Sequence, residues 1–181
     1  MIIPLSIIFV FFVACDQLSK IVAVGALVDI GSSMSFMPGV LRFEYYRNTG
    51  MAWGLFPNAA WFFVIITVLI GGLIVFFIIK HRDSMPKFMQ VSLTLILSGA
   101  VGNLIDRIFL GYVRDFIAFD FFSFPVFNIA DSCVTIGAIM LAICLIFTKQ
   151  GRDFFKELDT LKNTASGEAG VWENAEENGN D

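Results

Sequence analysis

The chain has 181 residues, of which 57% are hydrophobic, 15% are charged and 21 are phenylalanine, and its mean hydropathy is +0.78. Soluble domains are usually about half apolar and about a quarter charged, so this composition favours a membrane protein over a soluble domain. The net charge of −4 gives no reason to expect a nucleic-acid partner, and three scattered cysteines with a single histidine, His81, argue against a zinc site, so we expect no metal and no cofactor.

Four stretches of the chain are long and apolar enough to be transmembrane helices, since a helix needs about 20 apolar residues to cross the bilayer core. They cover residues 2–28, 61–79, 88–110 and 126–147. The first could instead be a signal peptide, but residues 1–15 contain no Lys or Arg and the apolar run resumes at Ile21. We therefore expect four transmembrane spans.

The distribution of Lys and Arg predicts the orientation, because short loops rich in these residues stay in the cytoplasm. The loop over residues 80–87 carries three of them, and three more follow the fourth span between residues 149 and 156. Both stretches lie on the same side, so both termini should be cytoplasmic. Arg42 and Arg47, on the opposite side, weaken this pattern.

The first long loop, residues 29–60, is too long to be a bare turn. It contains a run rich in β-branched and aromatic residues over residues 40–47. This run predicts a short strand with Leu41, Phe43 and Tyr45 on one face. We expect a small extracytoplasmic β-sheet that rests on the membrane surface.

The C-terminal segment has a different composition. Residues 168–181 carry four Glu and one Asp without any Lys or Arg, and the polar, acidic run over residues 163–181 is expected to be disordered. The predicted fold class is an all-α membrane protein with four transmembrane helices and a small extracytoplasmic β-sheet subdomain. Residues 1–150 form the transmembrane domain, including the sheet of residues 29–60, and residues 151–181 form a cytoplasmic, acidic and largely disordered tail.

Several polar side chains lie at one end of the predicted spans, although ionisable groups inside a membrane are costly and usually face the bundle interior. Asp16 and Lys20 are four residues apart on one helix face and can pair. Spans one and three run outward and span four runs inward, so these polar residues share one depth near the outer membrane boundary. The others are Asn103, Asp106, Arg107, Asp115, Asn128 and Asp131.

Most of these residues also have a structural interpretation. Asp16 and Lys20 are equally well explained as a structural ion pair. Asp106 and Arg107 can simply cap and neutralise a helix end. The two asparagines more often hydrogen-bond across helices than touch a substrate.

Asp115 and Asp131 are harder to explain as structural charges. No Lys or Arg follows Asp131 before Lys149, and Arg114 points away from Asp115 if the segment is helical or extended. Two close carboxylates in a site of low dielectric constant share a proton, so one can take a proton from water while the other donates to a carbonyl oxygen. This is the chemistry of aspartic proteases, which needs no metal and no Ser or Cys nucleophile.

Four segments resemble, in order, the signature boxes of lipoprotein signal peptidase (signal peptidase II). Each box alone is weak, but four in order on four membrane spans are highly specific, and the resemblance covers residues 10–147. The segments are residues 16–20 (DQLSK), 47–54 (RNTGMAWG), 102–107 (GNLIDR) with 113–116 (VRDF), and 127–131 (FNIAD).

The resemblance implies an aspartic endopeptidase of the bacterial cytoplasmic (inner) membrane. Its substrates would be diacylglyceryl-modified prolipoproteins, which it would cut just before the lipidated cysteine at the outer face of the membrane. Membrane lipid is the other expected partner. A monomer suffices, because both acids come from one chain.

The resemblance also implies roles for individual residues. Asp115 and Asp131 would be the catalytic pair that activates water, with Asn128 and Ala130 positioning Asp131. The residues implied to support the site or contact the substrate are Asn48 and Gly50, on the sheet that covers the substrate, together with Asp16, Lys20, Asn103, Asp106 and Arg107.

Some residues depart from the usual pattern of the family. Met51 and Trp53 stand where Ala and often Phe are usual, and Arg114 stands where a small or apolar residue is common. These departures affect contacts of the covering loop more than catalysis. Asp106 stays a rival for Asp115 because its box is equally strong, but the short loop back to Asp131 favours Asp115.

Two other classes of function fit part of the pattern. Intramembrane acids also suit a proton- or ion-coupled transporter or channel subunit, but the sequence has no internal repeat and the site lies at the boundary rather than the midplane. A non-enzymatic assembly factor that binds through residues 29–60 would leave the two acids unexplained. The sequence therefore favours the peptidase.

Overall fold

The computed structural model describes residues 2–27, 32–50 and 60–160, which form a helical bundle with a small sheet at one end. The elements are α1 (Ile2–Ala26), β1 (Ser33–Met37), β2 (Leu41–Asn48), α2 (Ala60–Lys80), α3 (Lys87–Leu110), β3 (Val113–Phe119) and α4 (Ile129–Phe147), followed by α5 over residues 149–160. Helices α1 to α4 are long and apolar enough to cross a membrane. The predicted fold class, four membrane helices with a small sheet, is confirmed.

The fourth span begins later than its apolar run suggests. Residue 126 is the predicted start, whereas α4 begins at Ile129 with Asn128 as its N-cap. The residue before the cap is extended, because Phe127 forms a β-bridge with Ile117. The start of α4 is therefore set by the cap and not by hydropathy.

α3 is the most buried of the four spans and packs against α1, α2 and α4. Glycines allow its closest approaches. A Cβ added at Gly99 would overlap the carbonyl oxygen of Ala130 in α4, and one at Gly102 would lie 2.6 Å from Oδ2 of Asp16 in α1. Because lipid gives transmembrane helices no hydrophobic reason to associate, such close packing holds the bundle together.

Three antiparallel strands form the sheet in the order β1-β2-β3. β2 matches the predicted strand, whereas the sequence did not predict β3, which lies between α3 and α4. The register between β2 and β3 shifts by one residue between Phe43 and Tyr46, so the predicted alternation is interrupted at Tyr45. Beyond the shift Tyr46 pairs with Asp115, and Asn48 therefore lies on the same sheet face as Asp115.

The opposite end of the bundle is closed by an apolar core. Its buried members are Met85, Met89, Leu93, Cys144 and Phe154. Phe154 belongs to α5, so residues 151–160 are helical and folded against the bundle, which differs from the largely disordered tail expected there. Residues 161–181 lie outside the described residues, and the disorder expected over residues 163–181 stays a prediction.

Candidate active site

Asp131 is held by the first turn of α4. Its Oδ2 accepts a hydrogen bond from the backbone N–H of Asn128 at 3.1 Å, while Oδ1 of Asn128 accepts from the backbone N–H of Asp131 at 3.0 Å. This reciprocal capping box fixes both side chains. The other oxygen of Asp131, Oδ1, accepts a hydrogen bond from Nδ2 of Asn103 at 2.8 Å. Both carboxylate oxygens are therefore oriented.

Asp115 reaches the same place from β3. Its Oδ1 accepts from Nδ2 of Asn128 at 2.6 Å, and its Oδ2 accepts from Nδ2 of Asn48 at 3.0 Å. The residue before the N-cap of α4, Phe127, lies beside β3 because it exchanges backbone hydrogen bonds of 2.8 and 2.9 Å with Ile117. Asn128 thus contacts both acids and joins them into one acid pair.

Asn103 connects the acid pair to a buried cation. Its Oδ1 accepts from Nζ of Lys20 at 3.0 Å and from Nδ2 of Asn128 at 3.1 Å, while its Nδ2 donates to Asp131. The asparagines do hydrogen-bond across helices, as one interpretation of the sequence held. The same hydrogen bonds orient the acids, so that interpretation and a functional one are compatible.

Four charged residues, Asp16, Lys20, Asp106 and Arg114, form what we call the buried charge cluster. Nζ of Lys20 lies 2.9 Å from Oδ2 of Asp16 and 3.4 Å from Oδ2 of Asp106, and all three side chains are fully buried. Nη2 of Arg114 lies 2.7 Å from Oδ1 of Asp106. Two acids and two bases make the cluster neutral, which lowers the cost of burying it.

Asp106, the rival acid, is committed to this cluster. One interpretation of the sequence paired Asp106 with Arg107, and that pairing is not observed, because the ion-pair partners of Asp106 are Lys20 and Arg114. The ion pair between Asp16 and Lys20, by contrast, is present as the structural interpretation held. Asp106 is thus fully occupied by cationic partners.

The acid pair lines a cavity of about 640 Å³. Arg107 is on its wall, where its guanidinium carbon lies 5.2 Å from the ring centroid of Phe63 and its Nη2 lies 3.5 Å from the carbonyl oxygen of Gly50. Much of the remaining wall is apolar and includes Phe119, Phe124, Phe127 and Ile136. The cavity lining therefore combines the two acids with a largely apolar wall.

Burial raises the pKa of Asp115 to about 7, and the negative charge of Asp131 adds to this effect. The hydrogen bonds from Asn48 and Asn128 and the charge of Lys20 oppose it. Within residues 2–27, 32–50 and 60–160, no Lys or Arg forms an ion pair with either acid. A pair that holds one proton near neutral pH can both accept a proton and donate one.

Ala130 and Gly50 contribute backbone atoms. The N–H of Ala130 donates to Oδ1 of Asp16 at 2.9 Å, so α1 satisfies one of the free N–H groups at the start of α4. The N–H of Gly50 donates to Oδ1 of Asn48 at 3.0 Å. That hydrogen bond turns the Nδ2 group of Asn48 toward Asp115.

The sequence did not assign Gln17 and Arg114 to the site. Nε2 of Gln17 donates to the carbonyl oxygen of Gly102 at 3.0 Å and to Oδ1 of Asp106 at 3.3 Å, and its Oε1 accepts from Nη2 of Arg114 at 2.9 Å. The signal for Gln17 was an amide inside an apolar span. Met51 and Trp53, which depart from the family pattern, lie outside the described residues.

In the described parts of the chain, no group of three or more His, Cys, Asp or Glu residues could hold a metal ion. The donors around the acid pair are amide and backbone N–H groups, which hydrogen-bond carboxylates and do not ligate metals. A site without metal or cofactor stays a prediction.

Comparison with known proteins identifies relatives over most of the chain. Residues 8–147 match the family described as "Signal peptidase (SPase) II". Proteins named lipoprotein signal peptidase from Streptococcus pyogenes serotypes M2 and M5 are each 42% identical over 136 residues, which is 75% of this chain and 88% of each relative.

Two solved structures of bacterial membrane enzymes are also similar. One has a TM-score of 0.75 with 41% identity and covers 81% of this chain and 89% of its own. The other has a TM-score of 0.74 with 40% identity, covering 82% and 96%.

Proposed function

The chain belongs to the signal peptidase II family of bacterial membrane peptidases, and we propose that it is an aspartic endopeptidase that removes signal peptides from diacylglyceryl-modified prolipoproteins. It cuts just before the lipidated cysteine, at the outer face of the membrane. The observation that carries the proposal is the acid pair, in which one asparagine, Asn128, hydrogen-bonds both Asp115 and Asp131 where they line a cavity.

In the proposed mechanism the pair holds one proton, carried by Asp115. Asp131 takes a proton from a water molecule as the water oxygen attacks the scissile carbonyl carbon, and Asp115 donates its proton to the carbonyl oxygen. When the tetrahedral intermediate collapses, the C–N bond breaks and Asp131 passes its proton to the leaving nitrogen. Asp115 recovers its proton from the hydroxyl group as the carbonyl re-forms.

The supporting residues have separate roles in this proposal. Asn103 and Asn128 keep the carboxylates oriented, so that little reorganisation is needed during the reaction. Arg107, Asn48 and Gly50 lie at or beside the cavity, where a guanidinium and backbone groups can hydrogen-bond an extended substrate chain. The buried charge cluster supports the pair from the side of α1 and α3.

The apolar wall of the cavity supports a lipid-modified substrate. Aromatic side chains from β3 and from the segment before α4, among them Phe119 and Phe124, form part of this wall, and Phe124 is exposed. A diacylglyceryl group is more favourable against such a surface than against water. We place the protein in the bacterial cytoplasmic membrane as a monomer, with both termini in the cytoplasm.

The test is cleavage of a synthetic diacylglyceryl-modified prolipoprotein by the purified protein in detergent. Asp115→Asn and Asp131→Asn should each lower cleavage by about 10²–10⁴-fold, the usual contribution of general acid–base catalysis. Asp83→Asn is the matched control, since Asp83 is 90% exposed on the loop between α2 and α3 and should leave cleavage unchanged. Normal cleavage by both variants of the acid pair would falsify the assignment of Asp115 and Asp131 as the catalytic residues.

A further inference from the structure

Arg114 stands beside Asp115 in β3, and consecutive residues of a strand point to opposite faces. While Asp115 faces the cavity, Arg114 reaches Asp106 on α3. Its backbone N–H donates to Oδ2 of Asp106 at 2.9 Å, its Nε to the same oxygen at 3.1 Å, and its Nη2 to Oδ1 at 2.7 Å. Nη2 also donates to Oε1 of Gln17 in α1 at 2.9 Å. This two-pronged geometry is specific to a guanidinium.

Arg114 also completes the charge balance of the buried charge cluster. Asp16 and Asp106 are two carboxylates that share one ammonium group, that of Lys20, and all three side chains are fully buried. Arg114 supplies the second positive charge, with only 15% of its side chain exposed. Without it the cluster would carry an uncompensated negative charge.

The cluster is connected to the acid pair by two short routes. One is covalent, because Arg114 and Asp115 share a peptide bond. The other runs from Lys20 through Oδ1 of Asn103 to Nδ2 of Asn103 and then to Asp131. A change in the charge or position of the cluster therefore reaches both acids.

We propose that Arg114 is a positioning residue for the acid pair: its guanidinium fixes β3 against α3, so that Asp115 faces the cavity, and it keeps the neighbouring cluster electrically neutral. The inference rests on the proposed function. It concerns a residue that does not itself line the cavity and that acts through Asp106 and Asp115.

The proposal predicts a specific pH effect, because an extra negative charge favours the protonated form of nearby carboxyls. Asp115 would then hold its proton to a higher pH. The titratable and charged groups that face this region are Asp16 and Lys20 on α1, Tyr45 and Arg47 on β2, Asp106 and Arg107 on α3, Tyr112 before β3, and Asp131 on α4.

The experiment compares pH profiles of cleavage for Arg114→Gln and Arg114→Lys. Arg114→Gln should shift the profile upward by several tenths of a pH unit to about one unit, the effect of a unit charge at the effective dielectric constant of a partly buried site. Arg114→Lys keeps the positive charge but loses the two guanidinium N–H groups that contact both carboxylate oxygens of Asp106. Its pH profile should therefore stay in place while kcat falls. Arg82→Gln, which removes an exposed charge on the loop between α2 and α3, is the control and should change neither the pH profile nor kcat.

A double variant separates charge from geometry. Arg114→Gln combined with Asp106→Asn removes one charge of each sign, so the profile should return to its wild-type position even if the rate stays low. A uniform loss of rate in Arg114→Gln with an unmoved profile would overturn the proposal, because a purely structural role lowers activity equally at every pH.

A second measurement does not depend on cleavage. In protein labelled with ¹³C at aspartate carboxyls, the Asp115 resonance is identified by its loss in Asp115→Asn, and its titration midpoint should rise in Arg114→Gln and not in Arg114→Lys. If the wild-type protein never cleaves the substrate, the proposed function fails, while this titration still decides the inference about Arg114. An unchanged midpoint in Arg114→Gln would refute it.

Discussion

Asn128 shows how much one side chain contributes to this site. Its Oδ1 caps α4 through the backbone N–H of Asp131, and its Nδ2 donates to Asp115. An amide can do both because it carries an acceptor and two donors. No hydroxyl or carboxylate side chain in the same place would cap the helix and donate two hydrogen bonds.

The pKa of Asp115 predicts how activity depends on pH. In the proposed mechanism Asp115 must carry a proton, and burial raises its pKa to about 7. We therefore expect kcat/KM to decrease as the pH rises through 7, by up to tenfold per unit, measured between pH 5 and 9 with the lipidated substrate. Activity that stays constant up to pH 9 would contradict the assignment of Asp115 as the proton donor.

The same shift has a consequence for stability, which serves as the control. A carboxyl whose pKa is higher in the folded than in the unfolded protein binds its proton more tightly when folded. Its contribution to stability is fully present below the unfolded pKa and is lost as the pH rises through about 7. The decrease in melting temperature between pH 5 and pH 8 should therefore be smaller in Asp115→Asn than in the wild type.

At the scale of elements, the site depends on how closely α3 and α4 approach. Gly99 of α3 faces the backbone of Ala130, which precedes Asp131. β3 then adds the second acid, and the bridge between Ile117 and Phe127 ties it to the start of α4. Three elements that are separate in the sequence therefore meet at Asn128.

Gly99→Ala tests this close approach. The new Cβ would overlap the carbonyl oxygen of Ala130 and lie 2.8 Å from Cγ2 of Val134, so α3 and α4 must separate. We expect a loss of about 1–3 kcal/mol of stability, typical of overpacking, together with reduced cleavage. The measurements are the melting temperature in detergent and the initial rate of cleavage.

Gly72→Ala is the matched control for that substitution. Gly72 also lies in a membrane helix, α2, but a Cβ added there has nothing within 4 Å. The free energy of unfolding of the Gly72→Ala variant should stay unchanged or rise by about 0.5–1 kcal/mol, as is usual for Gly→Ala in a helix. Equal melting temperatures for the two variants would mean that the contact between Gly99 and Ala130 is not restrictive.

At the scale of the whole molecule, the acid pair and the apolar core around Met89 lie at opposite ends of the bundle. The basic loop between α2 and α3 lies at the core end, and the sheet lies at the site end. If the basic end is cytoplasmic, the site faces the outer surface, where a translocated prolipoprotein presents its cleavage point. The orientation of the chain thus decides whether the proposed reaction is feasible.

Two matched cysteine substitutions test that orientation. Ser35 in β1 and Ser84 in the α2–α3 loop are both exposed, and the native cysteines can be replaced by alanine beforehand. A membrane-impermeant maleimide should label Ser35→Cys in intact cells and Ser84→Cys only after permeabilisation. The reverse pattern would place the site in the cytoplasm and exclude cleavage at the outer face.

The sequence by itself determined the four spans, and it predicted that several polar residues meet at one end of them, because hydropathy and the cost of charge in lipid are local properties of the chain. It did not reveal β3, since Arg114 and Asp115 obscure its pattern and its stability comes from pairing with a distant strand. The sequence favoured Asp115 over Asp106 through the short loop back to Asp131, but only the tertiary structure showed that the two acids have different partners. The fold brought Arg114 and Lys20 to Asp106 and left Asp115 facing the cavity beside Asp131. The partners of a carboxyl depend on contacts between residues far apart in the chain, and no local pattern encodes them.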